Sequence, residues 1–322
     1  MAENTITGLI PEIYEALDIV SRELTGMIPS ATMNASSNTA AVGQAIRIDV
    51  EPAGNVSNIA PAMTVPDPTG QTSGFTDIII TKSRAAEFGF LGEDQKGLNT
   101  GAGYGTVRAN KIAQAIRAVT NEVETDLCGL QSTFSRAHGT AGTAPFGTAN
   151  DYTDASNVLK ILKDNGSPLQ DNQLVINTTA GVNLLGKQAA VADAGSDSIL
   201  RQGVLLDING MPIRESAQIV DQAAGGIAGA ATTNAAGYAV GATVLTLAAG
   251  GTGNVVAGDV VTFAGDTNKY VVASAVFAGV NPAAGDTITL AAPGLRVAMT
   301  AATKAITKIA ASSRNMAFNR SA

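Results

Sequence analysis

Tryptophan is absent from this chain of 322 residues, which holds a single cysteine, Cys128, and a single histidine, His138. One cysteine excludes a framework of intramolecular disulfides and fits synthesis in a reducing compartment. One imidazole and one thiol also exclude, by count of ligands, a metal centre built on nitrogen and sulfur. Any Ser-His or Cys-His device would have to use His138. Charge is sparse as well: charged residues make up 15% of the chain and the formal net charge is −7. No cluster of Lys and Arg marks a surface able to neutralise a run of phosphates. Aromatic residues reach only 4%, so the core has to be built from Val, Ile, Leu and Ala. No stretch approaches the roughly 18 uninterrupted apolar residues of a membrane span. The Met1-Ala2-Glu3-Asn4 start shows no basic n-region followed by an apolar h-region. These absences predict a protein that is soluble and intracellular when made, with no cofactor, no metal and no membrane partner.

What is present is apolar and glycine-rich: 45% hydrophobic residues and 35 glycines. A chain of this size exceeds the usual ~100–200 residues of one domain, which predicts two domains, or one carrying a large insertion. Pro11 at a first turn and Ile13, Leu17, Val20 and Leu24 at helical spacing predict a first helix, stopped by Gly26. Such a helix can serve either as a core element or as an N-terminal arm laid on another subunit. Ile46 to Val50 alternates at period two, and Ile78 to Thr81 is a β-branched run, so two strands are expected there. The connection between them holds Pro52, Pro61, Pro66, Pro68, Gly54, Gly70 and Gly74. It is far longer than an ordinary hairpin loop and reads as an arm with a function of its own.

A long helix is expected from Val107 to Phe134, with Ile112, Ile116, Val119, Val123, Leu127, Leu130 and Phe134 as an apolar stripe lying across a sheet. From residue 151 to 216 the pattern alternates α and β. Asp154 reads as an N-cap, Asn165-Gly166 as a helix stop, Leu174 to Ile176 as a short buried strand, and residues 181 to 191 as a second helix. Asn209-Gly210 between two apolar runs gives a hairpin signal. From about Ala223 the composition shifts to Ala, Gly, Thr and Val. A weak repeat follows, led by Gly241, Gly258 and Gly285, each glycine feeding an alternating strand. With Tyr270 to Val272 and Arg296 to Met299 as further strands, this segment is expected to form an all-β module.

The chemical candidates are weak. Ser135 lies three residues from His138 with no strained Gly-x-Ser-x-Gly turn around it, and Cys128 falls beside an apolar stripe, the ordinary place for an inert buried thiol. Asp193 to Ser198 and Gly265 to Asn268 offer oxygen ligands without the spacing of a calcium loop. Gly101-Ala-Gly-Tyr-Gly105 lacks both the GxGxxG interval and a Walker Lys-Ser/Thr pair, and reads as a hinge. The expectation is a protein with no catalytic residues.

Several stretches, in order, resemble the P22-type coat protein family of tailed-phage major capsid proteins, which has the HK97-like fold. They are Thr76 to Lys82 leading to Phe88-Gly-Phe, the long helix from Val107, Leu174-Val-Ile-Asn177 with the helix after it, Val255 to Gly265, and Ser313 to Phe318. The resemblance implies an α+β chain: an N-terminal arm (1–39), an extended E-loop (40–85), a spine helix and P-domain (86–150), an A-domain (151–225), an inserted β-barrel-like I-domain (226–311) and a return segment to the core (312–322). It implies a structural coat protein that assembles with copies of itself, as hexamers and pentamers, into an icosahedral shell in the host cytoplasm. Scaffolding and portal proteins would be partners during assembly, and DNA would be enclosed without sequence-specific binding. Ile59, Pro61, Met63, Val65, Pro66, Pro68, Gly70 and Phe75 of the arm are the expected subunit contacts. Family members continue beyond the segment like Asn315 to Phe318, whereas this chain stops at Ala322, which leaves the closing strand of the P- or A-domain open. The other reading is a secreted or surface β-rich binding protein, suggested by the Thr/Ala/Gly-rich second half; the long central helix and the missing signal peptide speak against it.

Overall fold

A computed structural model describes residues 24–33, 41–51, 73–87, 89, 104–148, 151–187, 205, 207–227, 231–279, 281–310, 312 and 314–320. Contacts divide the chain into two units, residues 33–89 and the remainder.

The smaller unit contains one antiparallel pair, β1 (Ala45–Val50) and β2 (Gly74–Ile79), in register from Ala45 opposite Ile79 to Val50 opposite Gly74. The second strand therefore starts earlier than the β-branched run suggested and ends at Ile79, because pairing with β1 sets its limits. Among the described residues, the larger unit contains a 3-10 turn, Ile28–Ser30, then the 26-residue helix α1 (Tyr104–Gly129), the two-residue strand β3 (Arg136–Ala137), α2 (Thr153–Asp164), β4 (Asn172–Ile176), α3 (Thr178–Lys187) and β5 (Ile213–Glu215). Six strands follow, β6 (Thr232–Thr233), β7 (Val244–Ala249), β8 (Val260–Phe263), β9 (Lys269–Val276), β10 (Thr287–Leu290) and β11 (Ile306–Lys308), and then β12 (Met316–Asn319). The chain is thus α+β.

β4 is the centre of a small mixed sheet, antiparallel to β12 on one side and parallel to β5 on the other. Both of its faces are covered. Leu174 and Ile176 point into a cluster with Ala155 of α2 and Ala180 and Leu184 of α3, while Val175 meets Met27, Cys128, Ile219 and Met316 on the opposite side. That double cover is why Leu174 to Ile176 read as an unbroken apolar run and not as an alternation. The return segment supplies β12, an edge strand of this sheet. Asn209 and Gly210, at φ 54° and 73°, make the tight turn that their sequence predicts, with Ile208 bridged to Met211. The chain leaving that turn then pairs in parallel with β4 instead of completing a hairpin ladder.

The six strands β6 to β11 run in the order β11-β8-β9-β10-β7-β6. Thr233 N–H then donates to Lys304 O, and Ile306 N–H to Ala231 O, both at 2.9 Å, so the sheet returns from β6 to β11 and closes into a barrel. Its interior is filled by Leu245, Leu247, Phe263, Tyr270, Ile288 and Leu290 among others, all from within the barrel segment. The glycine-led repeat is a recurring turn. Ala242, Asp259 and Asp286 each return a backbone bond to the residue three before, and Gly241, Gly258 and Gly285 hold the left-handed third position at φ 85°, 89° and 93°. At Gly258 a Cβ would also fall 2.6 Å from Ser132 Cβ, so glycine is required there twice over. In the last two copies the buried aspartate locks the turn. Asp259 accepts the amides of Val256 and Gly225, and Asp286 those of Ala283 and Ala278. β3, from outside the barrel segment, adds to β9.

Four sequence expectations are corrected. Arg296 to Met299 is not a strand; Met299 makes only an isolated bridge to Tyr238. The long helix ends at Gly129, where a 3-10 turn takes over. Its stripe is only partly buried: Ile112 is in the core, but Val123 is 44% exposed and Leu130 47%. Near its C-terminal end the buried face has turned to Glu124 and Cys128. Finally, Asp154 is not the N-cap of α2. Asp151 accepts the Thr153 amide at 2.8 Å, and Asp154 bonds backward to the Phe146 amide at 2.8 Å.

Candidate assembly surface

The β1–β2 ribbon presents two faces of different chemistry. On one, Arg47 lies 3.6 Å over the Phe75 ring and makes an ion pair with Asp77 at 3.1 Å, so cross-strand partners hold each other in extended geometry. The other carries Ile46, Ile48 and Val50 beside Thr76 and Ile78. Of these, Ile48, Val50 and Ile78 are exposed, Ile78 at 51%. At the end nearest the long connection, Ser73 Oγ donates to the Glu51 carboxylate at 2.9 Å. A two-stranded ribbon is marginal in water by itself, and this one buries no core of its own among the described residues.

Of the expected contact residues, Phe75 is in β2, 56% exposed beneath Arg47. Ile59, Pro61, Met63, Val65, Pro66, Pro68 and Gly70 lie outside the described residues. The first-helix expectation up to residue 23 and the oxygen-rich Asp193 to Ser198 also lie outside them.

The catalytic candidates are not brought together. Ser135 Oγ accepts a hydrogen bond from Asn165 Nδ2 at 3.0 Å, while His138 faces Asp154 at 3.8 Å. Among the described residues no hydrogen bond joins Ser135 to His138. Burial holds the His138 imidazolium below its ordinary pKa, against the opposing pull of Asp154. Both line an open cleft of about 1140 Å³ between β3, α2, the barrel and β12, whose lining also includes Arg136, Asp154, Lys269 and Arg314. Cys128 is 2% exposed, and burial raises its thiol above the ordinary value, as expected of an inert structural cysteine. The Gly265 to Asn268 turn is closed on itself: Asp266 takes the Asn268 amide at 2.9 Å and the Tyr270 hydroxyl at 2.6 Å. Among the described residues no three His, Cys, Asp or Glu side chains gather as a metal site, and no helix is long and apolar enough to cross a membrane.

Two residues with positioning roles were missed in the sequence. Glu124 is fully buried and its carboxylate accepts the amides of Gly26, Met27 and Ile28 at 2.8, 2.8 and 3.0 Å. Arg136, also buried, reaches Asn165 Oδ1 at 2.7 Å and Asn268 Oδ1 at 3.3 Å, linking α2 to the barrel. The only signal for either was a charged residue inside an otherwise apolar neighbourhood, which surface residues share.

No family model matches the chain, and no curated protein matches it. Among solved structures, a chain from Mycobacterium phage Che8 is similar at a TM-score of 0.46 and 14% identity, covering 92% of this chain and 92% of that one. A chain of the capsid structure of the cyanophage P-SCSP1u is similar at a TM-score of 0.42 and 15% identity, covering 91% of this chain and 88% of that one.

Proposed function

We propose that the chain is the major coat protein of a tailed phage, a structural subunit with no catalytic role, and that the 33–89 unit is the arm by which one copy grips the next in a closed icosahedral shell. The observation that carries this reading is the β1–β2 ribbon. It is a separate contact unit with Ile48, Val50, Phe75, Ile78 and Ile79 all exposed. Such a ribbon gains most when a second surface covers it, and repeated contacts between identical chains are how closed assemblies form. The order of resembling sequence stretches supports the finer reading: an HK97-like arrangement in which α1 is the spine, the barrel is an inserted I-domain, and β12 returns the chain to the sheet around β4. Hexamers and pentamers of this chain, scaffolding and portal partners during assembly in the host cytoplasm, and enclosed DNA held without sequence-specific contacts belong to the same proposal.

The test is to replace residues 61–72 by Asn-Gly. Ser73 and Gly74 are kept, because Gly74 pairs with Val50 and Ser73 bonds Glu51. Stability of the unassembled subunit in denaturant should stay within about 1 kcal/mol, the range of surface changes, while closed particles disappear from electron micrographs of the assembly reaction. Normal shells from the shortened chain would overturn the arm assignment. A wild-type chain that stays monomeric at high concentration would favour the β-rich binding protein instead.

A further inference from the structure

The cleft beside Ser135 and His138 runs along the free edge of β12. All four residues of that strand, Met316 to Asn319, line it, although successive residues of a strand point to opposite faces, and no residue of β4 or β5 does. A pocket over one face of the sheet would take alternate residues, so this one lies along the margin. Hydrogen bonding fixes which groups face it. Leu174 N–H donates to Pro212 O at 3.0 Å and Ser216 N–H to Ile176 O at 2.9 Å, so Gln173 and Val175 are the residues of β4 that bond β12, opposite Phe318 and Met316. Arg320 N–H, bonded to Asp171 O at 3.1 Å, continues the same alternation. The N–H and C=O of Ala317 therefore point into the cleft, and among the described residues no strand lies beyond them.

The cleft is also cationic in an acidic chain. Net charge is −7, yet Arg136, Lys269 and Arg314 line the cleft against the single carboxylate of Asp154. Two of these cations carry unanswered donors: Nε of Arg136, whose side chain is 3% exposed, and Nη1 of Arg314 are both buried with no acceptor. Burial lowers both guanidinium pKa values. Arg136 is partly balanced by Asp164 at 3.9 Å, while Arg314, two residues before β12, feels only Asp259 among the carboxylates. Buried donors without an acceptor are rare in folded chains, and a carboxylate brought from outside would answer them.

We propose that the cleft is a docking site for an extended acidic segment of a partner protein, which joins β12 as a further strand and places a carboxylate on Arg314. A peptide backbone offers Ala317 a donor and an acceptor together, which a free anion cannot, and pairing with an exposed sheet edge is a general mode of peptide recognition. α2 and the barrel wall the cleft, so a single extended segment fits where the sheet of a second copy would not. The site lies wholly in the larger unit and does not rest on the coat-protein reading.

The probe is a fluorescein-labelled, end-blocked hexapeptide of alternating Val and Glu, titrated by anisotropy onto the full unassembled chain. Saturable binding is expected with a Kd below about 1 mM, and both the Val/Lys counterpart and the Arg314→Gln chain should weaken it by at least about tenfold. The Val/Glu peptide methylated at every backbone nitrogen should not bind. Ala317→Pro should also abolish binding, because proline removes the outward N–H and leaves the bonds of Met316 and Phe318 to β4. No saturable binding in that range, equal binding of the Val/Lys peptide, undiminished binding by Arg314→Gln, or full binding of the methylated peptide would each overturn the proposal. A second copy as the occupant would show in sedimentation as self-association that the Val/Glu peptide disperses, and would overturn it as well. Ala317→Pro is read beside a melting curve matching the parent's, and the methylated peptide tests the same bond on the unaltered chain.

Discussion

Glu124 has the polarity of an outward-facing helix residue, yet its carboxylate is the anchor of the chain's entry, taking three amides with no solvent contact. A buried carboxylate bonded to backbone amides is worth most when judged by its removal, which leaves those donors unsatisfied. Glu124→Ala should therefore cost about 3 kcal/mol in urea unfolding, and Glu124→Gln, which keeps one acceptor oxygen, clearly less. An unchanged midpoint for the alanine variant would remove the anchor role. Tyr270 gives a pH-dependent counterpart. Its hydroxyl is sealed in the barrel and bonded to Asp266; burial first, then Asp266, push its pKa from 10 to about 12. Between those values the unfolded chain releases the phenol proton and the folded chain keeps it. The contribution is thus complete below pH 10, falls by about 1.4 kcal/mol per pH unit above it, and is lost once pH passes about 12. Tyr270→Phe should flatten that part of the stability curve although it is weaker at neutral pH, as denaturant titrations across the window would reveal.

At the scale of elements, the barrel core is drawn wholly from its own segment, so the excised segment should fold and give dispersed, β-type amide resonances. Its starting point matters. The Gly225 amide donates to both oxygens of buried Asp259, at 2.9 and 3.2 Å, so a fragment of residues 223–311 should unfold at higher denaturant than one of residues 226–311. Equal midpoints would mean that Asp259 is satisfied by Val256 alone, and a collapsed spectrum from both would make the barrel dependent on β3. Strands β7, β8 and β10 were legible because each follows a glycine turn and alternates. The β1 strand was legible for the same alternation, and the tight turn at Asn209-Gly210 from its two residues. What escaped was anything set by distant partners. The exposure of Val123 depends on α1 rotating its buried face toward Glu124 and Cys128, and a helical stripe in sequence carries no record of what it will meet.

At the scale of the molecule, the sequence resembles a coat-protein family in the order of its segments, and the chain forms a long helix, two strands of a mixed sheet, a barrel and then the last strand of that sheet, in that order. The parts of the candidate surface that could be read in advance were compositional, the prolines and glycines of the long connection; the exposed apolar face of the ribbon required the register of β1 on β2. Register also hid the closure of the barrel, since Ala231 to Thr233 and Lys304 to Ile306 are far apart in sequence and neither is a strong strand signal. That closure has a consequence for how copies of the chain can meet at high concentration. A sheet with open margins can recruit strands from any neighbour and grow without limit. By joining its first strand to its last, the barrel pairs the two margins that would otherwise offer a template for strand addition. Copies of the barrel are thereby left to meet through side-chain surfaces, which discriminate between neighbours, and not through backbone pairing, which does not.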